Sequence, residues 1–361
     1  MRNVLVTGGA GFIGSNFVRY VLEQDPLVRL TSLDALTYAG SLDNLKDLPD
    51  PDRHSFVHGD IRDLETVTDV LRDHRIDTVV HLAAESHVDR SILNPAPFVQ
   101  TNILGSFNLL EAARLAWGRE GVIPSGSCRF LHVSTDEVFG SLGADDPAFS
   151  ETTPYAPNSP YAASKAASDH LARAYVRTYG LPAIITNCSN NYGPYQLPEK
   201  LIPFMFLNAV EGKPLPIYGD GQQVRDWLHV QDHCDGLWRA LIRGRPGDTY
   251  NFGGGVQASN LEMVQRICSH LDQLLPTSPS CPHASLIAFV ADRPGHDRRY
   301  AMDSTKARTE LGWGPAHTLE EGLRETIEWY LQNAAWIQAL RSQPSYEDWL
   351  RENYEMRESG Q

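Results

Sequence analysis

Lysine is scarce in this chain: five stand among 361 residues, and with arginine they make 31 basic side chains against 45 acidic ones. The formal charge of −14 excludes a general nucleic-acid binder, whose phosphate contacts need a basic surface. A nucleotide ligand stays possible, because a few arginines and a helix N-terminus can hold phosphate locally. Cysteine is sparse and odd in number, and Cys128, Cys188, Cys234, Cys268 and Cys281 include no C-x-x-C pair. The thiols are therefore expected to be reduced rather than part of a disulfide framework. Cys281 and His283 lie close together but lack a second ligand pair, so no metal site is expected there or elsewhere. No apolar run approaches the roughly 18 residues that a bilayer-spanning helix needs. The chain enters a strand pattern at once, Met1-Arg-Asn-Val-Leu-Val-Thr-Gly8, leaving no room for a signal peptide. A cytoplasmic protein is the expectation.

What is present suits a large α/β core, with 42% hydrophobic and 21% charged residues. The runs Val4–Thr7, Leu30–Asp34, Ser55–His58, Thr78–Leu82, Phe130–Ser134 and Ala183–Asn187 read as strands. Their nearly continuous apolar character fits strands covered on both faces. Helical patterns lie between them, at Leu64–Asp73, Asn102–Leu115 and Pro160–Tyr179. Repeated βα order predicts a doubly wound parallel sheet of Rossmann-like type. Beyond about residue 190 turn residues break the pattern. A smaller C-terminal α/β lobe is expected there, so that 1–189, with about 223–252 interleaved, forms a dinucleotide-binding domain and 190–361 a substrate lobe. A cleft between the two would hold the ligands.

Gly8-Gly-Ala-Gly11-Phe12-Ile13-Gly14 sits between the first strand and first helix. Glycines at this spacing permit a tight turn, close approach of backbone to a pyrophosphate, and close packing of helix on strand. Asp34 ends the second strand, where a carboxylate accepts both ribose hydroxyls and repels a 2′-phosphate, favouring NAD over NADP. Asp60 follows the third strand, placed to meet the adenine, and Leu82-Ala83-Ala84-Glu-Ser86 follows the fourth.

Two further features carry acid–base chemistry. Tyr161 and Lys165 stand four residues apart, on one helix face, where the ammonium would lower the phenol's pKa and make it a base for a hydroxyl proton. Asp136 and Glu137 leave the C-terminal end of an apolar strand, the edge where doubly wound sheets bind ligands. In extended backbone their side chains would diverge and serve different atoms of one substrate. That is more acid–base equipment than hydride transfer alone needs.

The runs Thr7–Gly14, Ser134-Thr-Asp-Glu-Val138 and Tyr161 with Lys165 resemble the extended short-chain dehydrogenase/reductases. Asn187–Tyr195, Pro216–Trp227, Leu36-Thr-Tyr-Ala-Gly40 and Asp292-Arg-Pro-Gly-His296 narrow the resemblance to nucleotide-sugar 4,6-dehydratases, over residues 1 to about 335. The resemblance implies tightly held NAD, dTDP-glucose as the small-molecule substrate, and a homodimer built through two helices, here those near Asn102–Leu115 and Pro160–Tyr179. It implies catalysis by Tyr161 with Thr135 and Lys165, by Glu137 as base at C5, and by Asp136 as acid toward the 6-hydroxyl. It places Gly8, Gly11, Phe12, Ile13, Gly14, Asp34, Ala35, Leu36, Thr37, Asp60, Ile61, Leu82, Ala83, Ala84, Ser86, Thr101, Tyr161, Lys165 and Asn191 around the cofactor. For the sugar nucleotide it implies Ser86, Thr135, Asn190, Lys200, Leu201, Pro216, Ile217, Tyr218, Arg225, Asn260, Asp292, Arg293, Pro294, Gly295 and His296. Two positions depart from the family pattern: Phe139 where tyrosine is usual, and Ala35 where lysine often follows the ribose-binding acid. The competing readings are a 4-epimerase, a dehydratase of a UDP- or GDP-sugar, and an inactive NAD-binding scaffold.

Overall fold

The computed structural model describes residues 1–118, 127–292, 295–342 and 346. Its strands, in chain order, are β1 (Asn3–Thr7), β2 (Arg29–Asp34), β3 (His54–His58), β4 (Thr78–His81), β5 (Arg129–Thr135), β6 (Ala183–Cys188), β7 (Asn190–Tyr192), β8 (Leu215–Tyr218), β9 (Val224–His229), β10 (Thr249–Phe252), β11 (Gln257–Ser259) and β12 (Ile287–Val290). Seven form one sheet in the order β10-β6-β5-β4-β1-β2-β3, and every pairing in it is parallel. All seven C-terminal ends therefore share one edge. Alternation along the strands supplies both faces. Val4, Val6, Val80, Leu131, Val133 and Ile184 pack toward the Phe12–Gln24 and Val230–Arg243 helices. Leu5, Val79, Phe130 and Ile185 pack toward the Leu64–Asp73, Ser106–Ala116 and Pro160–Tyr179 helices.

The six strands expected from the sequence all lie in this sheet. The seventh, β10, went unread, because four residues beside Gly253 show too short a pattern to stand out. The helix expected at Asn102–Leu115 contains a π segment, Val99–Gly105, that runs into the α segment Ser106–Ala116. Among the described residues no helix is long and apolar enough to cross a membrane.

The smaller lobe holds a three-stranded sheet, β11-β9-β7, and a two-stranded one, β12-β8. A separate apolar core joins the Leu201–Val210, Asn260–Leu274 and Leu319–Gln332 helices around Phe206, Met263, Leu323 and Tyr330. The chain returns to the large sheet through the Val230–Arg243 helix, which packs on it, and rejoins it at β10. The preceding β9 belongs to the small sheet.

His233 lies fully buried in the Val230–Arg243 helix, with Nδ1 2.9 Å from Asn191 Oδ1, and burial pushes its pKa down to about 3. An unfolded chain protonates the same imidazole near 6.5, so its contribution to stability is complete above that pH and is lost as pH falls toward 3. At pH 5 the loss from this residue is about 2 kcal/mol. His233→Gln should therefore shrink the difference between urea-unfolding free energies at pH 7 and pH 5 by about that amount. An unchanged difference would show that His233 is not held neutral.

Candidate active site

The cleft at the C-terminal edge of the large sheet begins at the glycine turn. Gly8 takes φ +71°, a left-handed conformation, and a Cβ there would meet Ala83 backbone at 2.8 Å. A Cβ on Gly14 would fall 2.1 Å from the Gly8 carbonyl oxygen, so only glycine lets the helix press this close to the turn. Gly11 N-caps the Phe12–Gln24 helix with no side-chain bond, leaving the helix N-terminus open to a phosphate. Asp34 accepts the Ala10 and Leu36 backbone N–H groups at 3.0 and 2.9 Å. Burial raises its pKa, and these two bonds pull it back. The carboxylate is thus oriented by backbone and keeps acceptor capacity toward the cleft, which fits a ribose diol. Asp60 is gripped by Arg62 at 2.8 and 2.6 Å; burial would raise its pKa, but the guanidinium and its bonds bring it below the usual carboxylate range.

Gly8, Gly11, Phe12, Ile13, Gly14, Asp34, Ala35, Thr37, Asp60, Ile61, Leu82, Ala83, Ala84, Ser86 and Thr101 all line this cleft. Leu36 does not, although its φ of +49° turns the loop that places Ala35 and Thr37 there. Asn191 lies behind the wall, its amide donating to the Ser189 carbonyl at 3.0 Å and its oxygen facing His233.

The candidate acid–base side chains hang from β5, the turn that follows it and the Pro160–Tyr179 helix. Ser159 caps that helix by accepting the Ala162 N–H at 3.1 Å, Pro160 opens it, and Gly180 ends it at φ +69°. Thr135 Oγ1 accepts the Glu137 N–H at 3.3 Å, and Asp136–Phe139 wind into a 3-10 turn. The extended backbone expected here is thereby replaced, yet the two carboxylates still part. Asp136 is buried to 2% exposure, whereas Glu137 lines the second half of the cleft. Asp136 Oδ1 accepts from the Thr135 hydroxyl at 3.2 Å, and Oδ2 has no hydrogen-bond partner. Burial, then the charges of Glu137 and Asp226, push its pKa well above that of an ordinary aspartate.

Tyr161 sits beside Glu137 and bonds the Thr135 side chain. Lys165, one turn further, donates to the Val133 carbonyl at 2.8 Å. The expected lowering of the phenol's pKa is not found: burial, then Glu137, raise it well above its ordinary value, against the Thr135 bond. Desolvation of the buried phenol dominates, and burial also lowers the pKa of Lys165. Beneath Lys165, Asp169 accepts from Ser134, Tyr155 and His132 at 2.8, 2.8 and 3.0 Å. Burial drives His132 toward neutrality, and although burial opposes an anion at Asp169, these bonds keep it ionised as a counter-charge to Lys165.

The second half of the cleft is lined by Asn190, Lys200, Leu201, Pro216, Ile217, Tyr218, Arg225, Asn260 and His296, all anticipated, with Glu137. The two halves meet at His87 and Lys200, whose Nζ donates to the Ser86 carbonyl at 3.1 Å. Asp292 stands back from the wall, accepting from Gln223 at 3.0 Å and facing His296 Nδ1 at 2.7 Å. Gly295 is likewise outside the lining, at φ +65°, and Arg293 and Pro294 lie outside the described residues. Phe139 stacks on Phe149, ring centroids 5.0 Å apart, in an apolar cluster.

Several lining residues went unread. Trp227 follows Arg225 by two along β9, so strand alternation would have placed it on the same face. Tyr300 lies under the Arg225 guanidinium, 4.3 Å from ring centroid to Cζ. Glu199 is paired with Arg90 at 2.6 Å, a partnership far apart in sequence and unmarked by spacing. His283 Nδ1 faces Asp272 Oδ1 at 2.5 Å.

Residues 5–326 match the family described as GDP-mannose 4,6 dehydratase. The dTDP-glucose 4,6-dehydratase of Salmonella typhimurium is 52% identical over 98% of this chain and 99% of its own length. That of Xanthomonas campestris is 56% identical over 94% and 96%. The crystal structure of the Bacillus anthracis dTDP-glucose 4,6-dehydratase in complex with NAD superposes with a TM-score of 0.82 at 45% identity, covering 94% of this chain and all of that one. The chain belongs to the GDP-mannose 4,6 dehydratase family, within the extended short-chain dehydrogenase/reductases that its motifs resemble.

Proposed function

We propose that this chain is an NAD-dependent dTDP-glucose 4,6-dehydratase, forming dTDP-4-dehydro-6-deoxy-glucose and water. The observation that carries the reading is Asp136, a buried carboxyl next to the cleft-lining Glu137, its pKa raised by burial and its Oδ2 without a hydrogen-bond partner. A 4-epimerase has no use for such an acid, whereas an elimination requires one. The curated relatives carry the same activity in their names.

Bound NAD+ supplies the chemistry of accepting a hydride from C4 and returning it to C6. Its fit rests on the glycine cradle, the open helix N-terminus and the oriented Asp34. Tyr161 takes the proton of the 4-hydroxyl, with the Thr135 hydroxyl bonded to the phenol and Lys165 supplying positive charge one turn away. The new 4-keto group acidifies C5, and Glu137 removes that proton. Asp136 gives its proton to the 6-hydroxyl as the C6–O bond breaks, so that oxygen leaves as water. Glu137, re-equilibrated with solvent, then returns a proton to C5. Arg225 and Lys200 pair with the diphosphate, and Pro216 to Tyr218 with Asn260 shape the base end.

The domain assignment follows from this use of the cleft. Residues 1–189 with the Val230–Phe252 return hold the cofactor, and the remaining C-terminal residues hold the sugar nucleotide. Cytoplasmic residence is supported by five free thiols, four of them buried, which suits a reducing compartment. A homodimer is supported by Leu104, Phe107 and Leu115, which are exposed along one stripe of the Val99–Ala116 helical segment and are best covered by the same stripe of a second copy.

Purified protein should turn over dTDP-glucose much faster than UDP-glucose or GDP-mannose. Asp136→Asn should still oxidise C4 but release water some 10²–10⁴-fold more slowly, because it bonds without giving a proton. Glu137→Gln should stop turnover and keep its bound nicotinamide. Full activity in either variant would remove that residue from the mechanism. Phe107→Glu should shift the species measured by sedimentation from dimer to monomer, and an unshifted dimer would place the interface elsewhere.

A further inference from the structure

We propose that His229, His317 and Glu325 form a binding site for a divalent transition-metal ion of the zinc class, where the small sheet meets the Leu319–Gln332 helix. Each offers one ligand atom, and these atoms all lie within 4.8 Å of one another. His317 Nε2 stands 3.8 Å from Glu325 Oε2. Two ligands at a tetrahedral angle with bonds of about 2.1 Å are separated by roughly 3.4 Å, so a small rotamer adjustment closes the site. The His229 and His317 rings lie 4.1 Å apart between centroids.

The second observation is His229 itself. It is 4% exposed, and neither ring nitrogen has a hydrogen-bond partner. Its packing edge-on to Tyr192 accounts for the burial but leaves both nitrogens unsatisfied, an unusual state for a core imidazole. A metal ion in reach of one nitrogen resolves it.

His317 is also arranged as ligating histidines are. Asp232 accepts its backbone N–H at 3.1 Å and meets its Nδ1 at 2.9 Å, which turns Nε2 toward Glu325. A carboxylate behind the far nitrogen fixes the tautomer and orientation of a metal ligand. Two imidazoles and one carboxylate are a nitrogen–oxygen set suited to zinc and its neighbours rather than to calcium or magnesium. Among the described residues no other group of three such side chains converges.

The position gives the ion a structural role. His229 is in register with Tyr192 across β7 and β9, two residues beyond Trp227 and four beyond Arg225, both of which line the substrate cleft. An ion here ties that strand to the Leu319–Gln332 helix and braces the substrate lobe.

The test is equilibrium dialysis and thermal melting of chelator-treated full-length protein against ZnCl2, with a Co2+ absorption spectrum. One equivalent should bind and raise the melting temperature, and cobalt should show ligand-field bands without thiolate charge transfer. Glu325→Gln, at an exposed position, and His317→Gln should each weaken zinc affinity at least about tenfold, while Cys281→Ser leaves it unchanged. No bound zinc, or binding indifferent to both Glu325→Gln and His317→Gln, would overturn the proposal.

Discussion

The Thr135 hydroxyl accepts the backbone N–H of Glu137, and that one bond turns the end of β5 into a 3-10 turn. Continued extension would have sent the next side chains to opposite faces of the sheet. The turn instead drops Asp136 into the protein, where burial raises its pKa, and leaves Glu137 on the cleft wall. Acid and base are thus adjacent in sequence and separated by environment. Tyr161 joins them because its helix lies against the same strand end, with Lys165 anchored to the Val133 carbonyl two residues before Thr135.

Below this turn the charges are arranged so that a buried ammonium is tolerable. Asp169, one helical turn past Lys165, is satisfied by Ser134, Tyr155 and His132 and stays ionised. A paired, hydrogen-bonded anion offsets much of the desolvation cost of Lys165. The same low-dielectric floor raises the phenol of Tyr161, so the base becomes effective when positive charge is close to it. Burial therefore serves the acid directly and sets a condition on the base.

Much of this was legible from residue order. Parallel strands covered on both faces show as short apolar runs, and six were read where they lie. The glycine turn, Asp34 and the Tyr161–Lys165 spacing could be read because local geometry alone demands those residue types. Contacts made by distant segments were not legible. Glu199 against Arg90, Tyr300 under Arg225, and Asp169 under Lys165 depend on elements brought together by the fold. The turn at Asp136 was misread as extended, since a threonine cap leaves little trace in a hydrophobic pattern. The lowered phenol pKa was also misjudged, because spacing shows the lysine but not the burial. His229, His317 and Glu325 were invisible for the first of these reasons.

Elimination across C5 and C6 requires Glu137 to exchange its proton with solvent before C5 is reprotonated. Turnover of dTDP-glucose in D2O, followed by mass and NMR analysis of the product, reads that step directly. One deuterium at C5 is the predicted result. A 6-deoxy product without deuterium at C5 would contradict the assignment of Glu137 and Asp136 as the pair that removes water.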